Sequence, residues 1–268
     1  MKASIISIEG RKGVEIALPP QFSEIYRPDV IKRAVLVIQN NSRQPYGADL
    51  RAGLKTSAKH SARRSIYGTL ANRGIARMKR IRVGTGGLSG TGRVAPHAIK
   101  GRKAHPPKVE KDYSQKINDS ERRLALRSAI SATGVKHIII TRGHKTDGIA
   151  AFPVVCDDKI ESITKTGDAL KAFEAFGLSG DLERSSEKKI RAGKGTMRGR
   201  KYRVKKGPLI VVGENKGLCD AVSNITGVDV VEAKNLNIEM LAPGTHAGRL
   251  TVWTKSAIEM LEKEKLFM

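Results

Sequence analysis

The chain has 268 residues, 50 Lys and Arg against 26 Asp and Glu, a formal net charge of +24 and only 4% aromatic residues. That length is enough to bury a core, which must be built mainly from Val, Ile, Leu and Ala, and no apolar run approaches the roughly eighteen residues a membrane span needs. Cys156 and Cys219 both sit in apolar runs and are expected as buried thiols rather than a disulfide or metal pair, and Met1 to Gly10 lacks the features of a secretory signal.

Residues Ile6 to Leu18 read as a hairpin at a sheet edge: Ile6 and Ile8 alternate with polar neighbours, Gly10 to Gly13 turns, and Val14, Ile16 and Leu18 fall in step. From Pro28 to Gln39 apolar residues at 30, 31, 34, 35, 37 and 38 form a helical stripe, and Pro28 suits a first turn. After Gly47 regular pattern stops until Asn118, whose spacing to Glu121 fits a capping box, and the run through Leu124, Leu126 and Ile130 ends at Gly134. Val135 to Thr141 reads as a buried strand and Phe152 to Cys156 as a second. Asp168 to Phe176 is a helix closed by Gly177, Pro208 to Gly213 a third strand, and Leu218 to Ile225 a short helix closed by Gly227. Val228 to Val231 and Arg249 to Trp253 complete the strands, and a last helix starts at Lys255.

Short apolar strands alternating with amphipathic helices predict an α/β fold, a three-layer α/β/α domain on a mostly parallel sheet. Residues 1–44 and 116–268 build it, and residues 45–115 are inserted as a long, irregular, basic loop. So long a structureless segment is unusual in a compact domain, which favours either disorder or an extension that becomes ordered against a partner. Doubled back at ~3.3 Å per residue, it could reach roughly 100 Å.

Charge locates the chemistry. Leu50 to Val109 holds fifteen Lys and Arg and no acid: Arg51, Lys55, Lys59, Arg63, Arg64, Arg73, Arg77, Lys79, Arg80, Arg82, Arg93, Lys100, Arg102, Lys103 and Lys108. Lys188 to Lys206 adds ten more in nineteen residues, among them Lys188, Lys189, Arg191, Lys194, Arg198, Arg200, Lys201 and Arg203. The remaining sequence sums to about zero, so the positive field is concentrated where a polyanion could bind. A solvated surface mixes signs, whereas these runs suit phosphate neutralisation and counterion release. Guanidiniums add bidentate phosphate contacts, and nine glycines in the first run permit close backbone approach. Tyr67 is the only aromatic between Leu50 and Val109, which argues for recognition of folded RNA over stacking on single strands.

Competing motifs fail on spacing. Neither the glycines from Gly84 to Gly92 nor Gly193-Lys194-Gly195 satisfies a nucleotide-binding loop. Asp157 and Asp158 could hold magnesium but read better as turn or cap residues. His60, His97 and His105 lack zinc spacing, His137, His144 and His246 read as structural or RNA-contacting, and no nucleophile motif occurs, so no cofactor, metal or small-molecule substrate is expected. A cofactor-dependent RNA-modifying enzyme and a DNA-compacting protein are the rival readings; the first would need a glycine fingerprint that the Thr141 to His144 turn does not supply.

Three stretches carry a resemblance: Gly101 to Lys108 (GRKAHPPK) leading to Glu110-Lys111, Arg191 to Arg203 (RAGKGTMRGRKYR), and Leu241 to Thr254 (LAPGTHAGRLTVWT). In this order they resemble the L-four family of large-subunit ribosomal proteins in its archaeal and eukaryotic form, and the lack of a long basic tail after Met268 looks archaeal. The resemblance implies a structural, non-enzymatic, cytoplasmic protein that binds large-subunit rRNA through the residues above together with Arg43. It also implies a loop tip lining the polypeptide exit tunnel, beside the L-twenty-two family protein and the nascent polypeptide. Carried onto this sequence, that tip falls at Met78, Arg80, Arg82, Gly84, Gly86, Gly87, Gly90, Gly92 and Arg93.

Overall fold

A computed structural model of the chain describes residues 1–65, 69–82 and 87–268. The chain divides into two compact units, one formed by Met1–Asn41 with Ser114–Met268 and the other by Ser42–Tyr113.

The first unit is organised on a six-stranded sheet. Its strands are β1 (Lys2–Ile6), β2 (Lys12–Ala17), β3 (Val154–Cys156), β6 (Leu209–Val212), β7 (Asp229–Glu232) and β8 (Thr251–Thr254), in the order β2-β1-β3-β8-β6-β7. All neighbours are parallel except β1 and β2. Period-2 alternation sends successive residues to opposite faces. On β6, Leu209 and Val211 enter one apolar cluster while Ile210 and Val212 enter the other.

Helices α1 (Pro28–Asn41), α2 (Asp119–Thr133), α7 (Ile238–Leu241) and α8 (Lys255–Lys263) cover the first face. There Trp253 is fully buried and meets Phe22 edge to face, with ring centroids 5.2 Å apart. Helices α3 (Lys136–Arg142), α4 (Thr166–Ala175) and α6 (Leu218–Val222) line the second cluster through Ile139, Phe173 and Leu218, and α5 (Ser179–Ser186) follows α4. The architecture is the expected three-layer α/β/α arrangement.

Three expectations need correction. Val135 to Thr141 is helix α3 instead of a strand: only Ile139 of the Ile138-Ile139-Ile140 run is buried, and the turn ends at Gly143 (φ 95°), whose amide reaches back to Ile139 and Ile140. A short β-branched run has no period of its own, and burial on one side selects the helix. The N-terminal hairpin starts earlier, at Lys2, and is integral to the sheet, because β1 pairs in parallel with β3 (Ile5 with Val155). Cys219 is exposed; only Cys156 is buried, where loss of solvation pushes its thiol pKa up.

The end of the sheet nearest Gly207 is joined by one side chain. Arg249, 1% exposed, donates to the carbonyls of Gly207 (2.9 Å), Met240 (3.1 Å), Gly227 (3.2 Å) and Pro208 (3.3 Å), and to Asp229 Oδ2 at 2.6 Å. It ties together the segments entering β6, β7 and β8. Its truncation would remove a donor from four carbonyls and leave the half-buried Asp229 carboxylate to Lys206 alone. Arg249→Met is expected to lower unfolding free energy by about 3–5 kcal/mol, measured by urea denaturation.

Candidate nucleic-acid interface

Two basic surfaces correspond to the two acid-free runs, one in each unit. In the second unit the backbone is cross-tied without helices or strands among the described residues. Lys59 and Arg80 exchange both amide–carbonyl hydrogen bonds at 3.2 Å, Arg93 donates to the Lys79 carbonyl (2.9 Å), and Ile81 to that of Thr91 (3.1 Å). Gly53, at φ 76°, lies where a Cβ would come within 2.5 Å of the Arg102 backbone, and a Cβ on Gly101 would meet the Ala95 carbonyl at 2.0 Å. These two glycines are therefore required by contacts inside the unit, whatever else approaches it.

Only Ala58 and Thr69 are buried among the unit's described residues. The hydrophobic effect scales with apolar area removed from water, so it contributes little here. Against that thin interior stand seventeen Lys and Arg and three acids. The fifteen cations of the acid-free run are all exposed except Arg80 and Arg93. Those two turn inward: Arg80 donates to the carbonyls of Gly90 (2.8 Å) and Ala76 (3.1 Å), and Arg93 to that of Ile99. Lys55 pairs with Asp49, which holds that carboxyl below its ordinary range.

At the expected tip, the Met78 thioether lies over Gly92, Gly90 takes φ 75°, and no described residue lies within 4 Å of a Cβ on Gly87 or Gly90. Gly84 and Gly86, and Tyr67, fall outside the described residues.

Sequence reasoning missed an aromatic pair in this unit. Tyr46 and Tyr113 are stacked, with centroids 6.4 Å apart and planes within 12°, and the Arg43 guanidinium carbon lies 4.3 Å from the Tyr113 ring centre. The one available signal was that the two tyrosines flank the acid-free run at either end.

In the first unit, Lys188–Ile190 (β4) and Tyr202–Val204 (β5) form a two-stranded antiparallel ribbon. Its register sets Lys189 directly opposite Arg203, a like-charge juxtaposition that disfavours the isolated ribbon. Every basic residue from Lys188 to Lys206 is exposed. The connecting turn is held by Arg191, whose amide donates to the Lys201 carbonyl (2.8 Å) and whose carbonyl accepts from the Thr196 hydroxyl (2.6 Å). At the ribbon's base Lys206 pairs with Asp229 at 3.0 Å.

Beside the ribbon is a partly buried charge cluster. Asp181, 1% exposed, accepts from His144 Nδ1 (3.0 Å), the Lys145 amide (3.1 Å) and Arg184 Nε (2.7 Å). Burial alone would raise its pKa, but the bonds from His144 and Arg184 bring it below the ordinary carboxylate range. Burial holds the His144 ring below the usual histidine range although Asp181 pulls the other way. Arg142 is drawn down to about 10 by burial and by repulsion from Arg249 and Arg184.

Asp157 and Asp158 are occupied locally: Asp157 accepts from the Asp158 amide (2.9 Å) and Asp158 from the Ser256 amide (2.6 Å), as cap residues do.

With this geometry in place, the model of the ribosomal protein L4/L1 family matches residues 16–264. The chain belongs to the ribosomal protein L4/L1 family. It is 51% identical to the large ribosomal subunit protein uL4 of Methanococcoides burtonii over 97% of each chain. It is 46% identical to that of Methanosphaera stadtmanae, over 97% of this chain and 96% of the relative. A third relative, the uL4 protein of Nanoarchaeum equitans, is 46% identical over the full length of both chains. In this L4/L1 chain the stretch from Leu241 to Thr254 contributes Arg249 and Trp253 to the sheet's interior, so its resemblance is carried by buried groups as well as exposed ones.

The buried pair sets a pH dependence. The unfolded chain takes a proton on its histidine below about 6.5, before His144 does in the fold, so stability falls as pH drops through that value. A second loss follows below about 4, as Asp181 and Asp229 are protonated more readily in the unfolded chain. Urea midpoints between pH 7 and 3 are expected to decline in these two stages, and His144→Gln to remove the upper one.

Proposed function

We propose that this chain is a structural, non-enzymatic constituent of the large ribosomal subunit, working in the cytoplasm by neutralising rRNA phosphates. Residues 45–115 and the ribbon with its turn, Lys188 to Lys206, are the RNA-binding elements. The observation that carries this reading is the acid-free run: fifteen cations in sixty residues, thirteen of them exposed, in a unit with two buried residues among those described. Such a surface has little internal counter-charge, three acids against seventeen cations in its unit, and almost no buried interior among the described residues, and a polyphosphate supplies the counter-charge. The full-length similarity to archaeal large ribosomal subunit proteins supports the same assignment. The segment from Met78 to Arg93 lines the polypeptide exit tunnel beside the L-twenty-two family protein, where no described residue crowds a Cβ position on Gly87 or Gly90, which suits a wall that leaves room for a nascent chain.

The mechanism predicts affinity for large-subunit rRNA that falls steeply with salt, log Kd changing with log salt by about 0.7–0.9 per phosphate engaged. Filter binding from low to high salt measures the slope, and a flat profile would contradict neutralisation. Arg203→Glu faces Lys189 with an opposite charge, so it is expected to raise the thermal midpoint while weakening rRNA binding and flattening the slope.

A further inference from the structure

Beside helix α3 and the Pro243–Ala247 loop, the first unit contains a cavity of about 540 Å³, inside the roughly 300–1,000 Å³ range of pockets that enclose small ligands. Its lining includes Arg142, Arg184, Lys206 and His246, and no lining residue is acidic. Arg184 and Lys206 already have carboxylate partners in Asp181 and Asp229, but Arg142 does not share in that arrangement. Its Nη2 donates to the Pro243 carbonyl at 2.9 Å, and its Nη1 is buried with no acceptor among the described residues. Buried donors are nearly always satisfied, so this one marks the place of an acceptor that the chain itself does not provide. The adjoining loop is held in an uncommon conformation: Thr245, a β-branched residue, takes φ 75°.

A second cavity, of about 500 Å³, also has Arg142 and Lys206 in its wall, and it extends to Lys189 and Arg203 of the ribbon, with one acid, Glu187, paired to Lys205. The two cationic side chains of Arg142 and Lys206 therefore border both spaces, and the like-charged pair of the ribbon opens onto the same surface. The rings of Tyr26 and His246 line the first cavity, so it offers aromatic surface next to its anion-binding groups.

We propose that this cavity receives one looped-out nucleotide of an RNA strand, its phosphate held by Arg142 and Lys206 and its base enclosed beside Tyr26 and His246. The site rests on the RNA-binding reading and deepens it: the sheet unit reads an unstacked nucleotide, in addition to the sequence-independent attraction of the basic runs. The backbone phosphates of the same strand continue along Lys189 and Arg203.

The test uses the full chain with adenosine monophosphate, its 8-azido photoaffinity form and inorganic phosphate as probes. Titration is expected to show saturable binding of the nucleotide that weakens at least tenfold in Arg142→Gln and, independently, in the exposed-loop variant His246→Ala. Photolabelling is expected on peptides containing Tyr26 or the 243–247 loop. Labelling confined to the basic run 50–109, or nucleotide affinity unchanged in both variants, would overturn the site. Inorganic phosphate binding as tightly as the nucleotide would also overturn it, as a nucleotide pocket. Large-subunit rRNA binding measured in parallel separates this from the wider reading. Both variants should retain a strong salt slope even though they lose the nucleotide, whereas wild-type chain that fails to bind rRNA would sink the wider reading whatever the pocket does.

Discussion

Like charges crowded on a short stretch of chain repel one another, and a folded unit must either pair them, screen them or hand them to a counter-ion. The unit from Ser42 to Tyr113 does little of the first. Asp49 holds Lys55, and Arg80 and Arg93 spend their guanidiniums on backbone carbonyls, while the other cations of the acid-free run lie exposed. Nor is there an interior to offset the repulsion, since Ala58 and Thr69 alone are buried among its described residues. Backbone ties such as Lys59 to Arg80 give it a defined path, but each net hydrogen bond contributes only about 1 kcal/mol. On the proposed reading a polyanion supplies what the unit lacks, and this one constraint links its composition, its thin interior and its role.

The sheet unit solves the opposite problem. Its central strands β3, β6 and β8 are buried on both faces, and helices cover each face. Where charge does enter, most of it is matched: Arg249 against Asp229 and four carbonyls, and His144 and Arg184 against Asp181, with Arg142 the exception. Matching of this kind fixes geometry more than it adds net stability, because desolvation offsets much of the attraction. On the proposed reading such a body keeps its shape without RNA. It can then present the ribbon, whose opposed Lys189 and Arg203 are unfavourable until something negative lies across them.

Much of the sheet unit was legible because period and punctuation agree there. The strand at Leu209, the helix beginning near Asp119 and the stop at Gly134 all follow from local pattern. The failures have physical causes. Ile138 to Ile140 carries no period, so tertiary burial of Ile139 alone decided for a helix. The ribbon was invisible because its strands are exposed on both faces, which removes the alternation that marks a strand. The site was legible as charge and illegible as geometry. Composition finds Arg80 and Arg93 but cannot tell that they turn inward, and it cannot bring Tyr46 against Tyr113 across the whole insertion. The same holds for Arg142, whose unmatched donor depends on groups more than forty positions away.

Backbone hydrogen exchange on the full chain, with and without large-subunit rRNA, tests the central claim most directly. The amides of Lys59, Arg80, Ile81 and Arg93 are all donors within the insertion, so their exchange reports whether its path is held by itself or by RNA. If RNA supplies the missing counter-charge, these amides exchange rapidly in the free chain, become strongly protected in the complex at low salt, and lose that protection as salt is raised, while the β6 and β8 amides stay protected throughout. Equal protection of the four amides with and without RNA would contradict it.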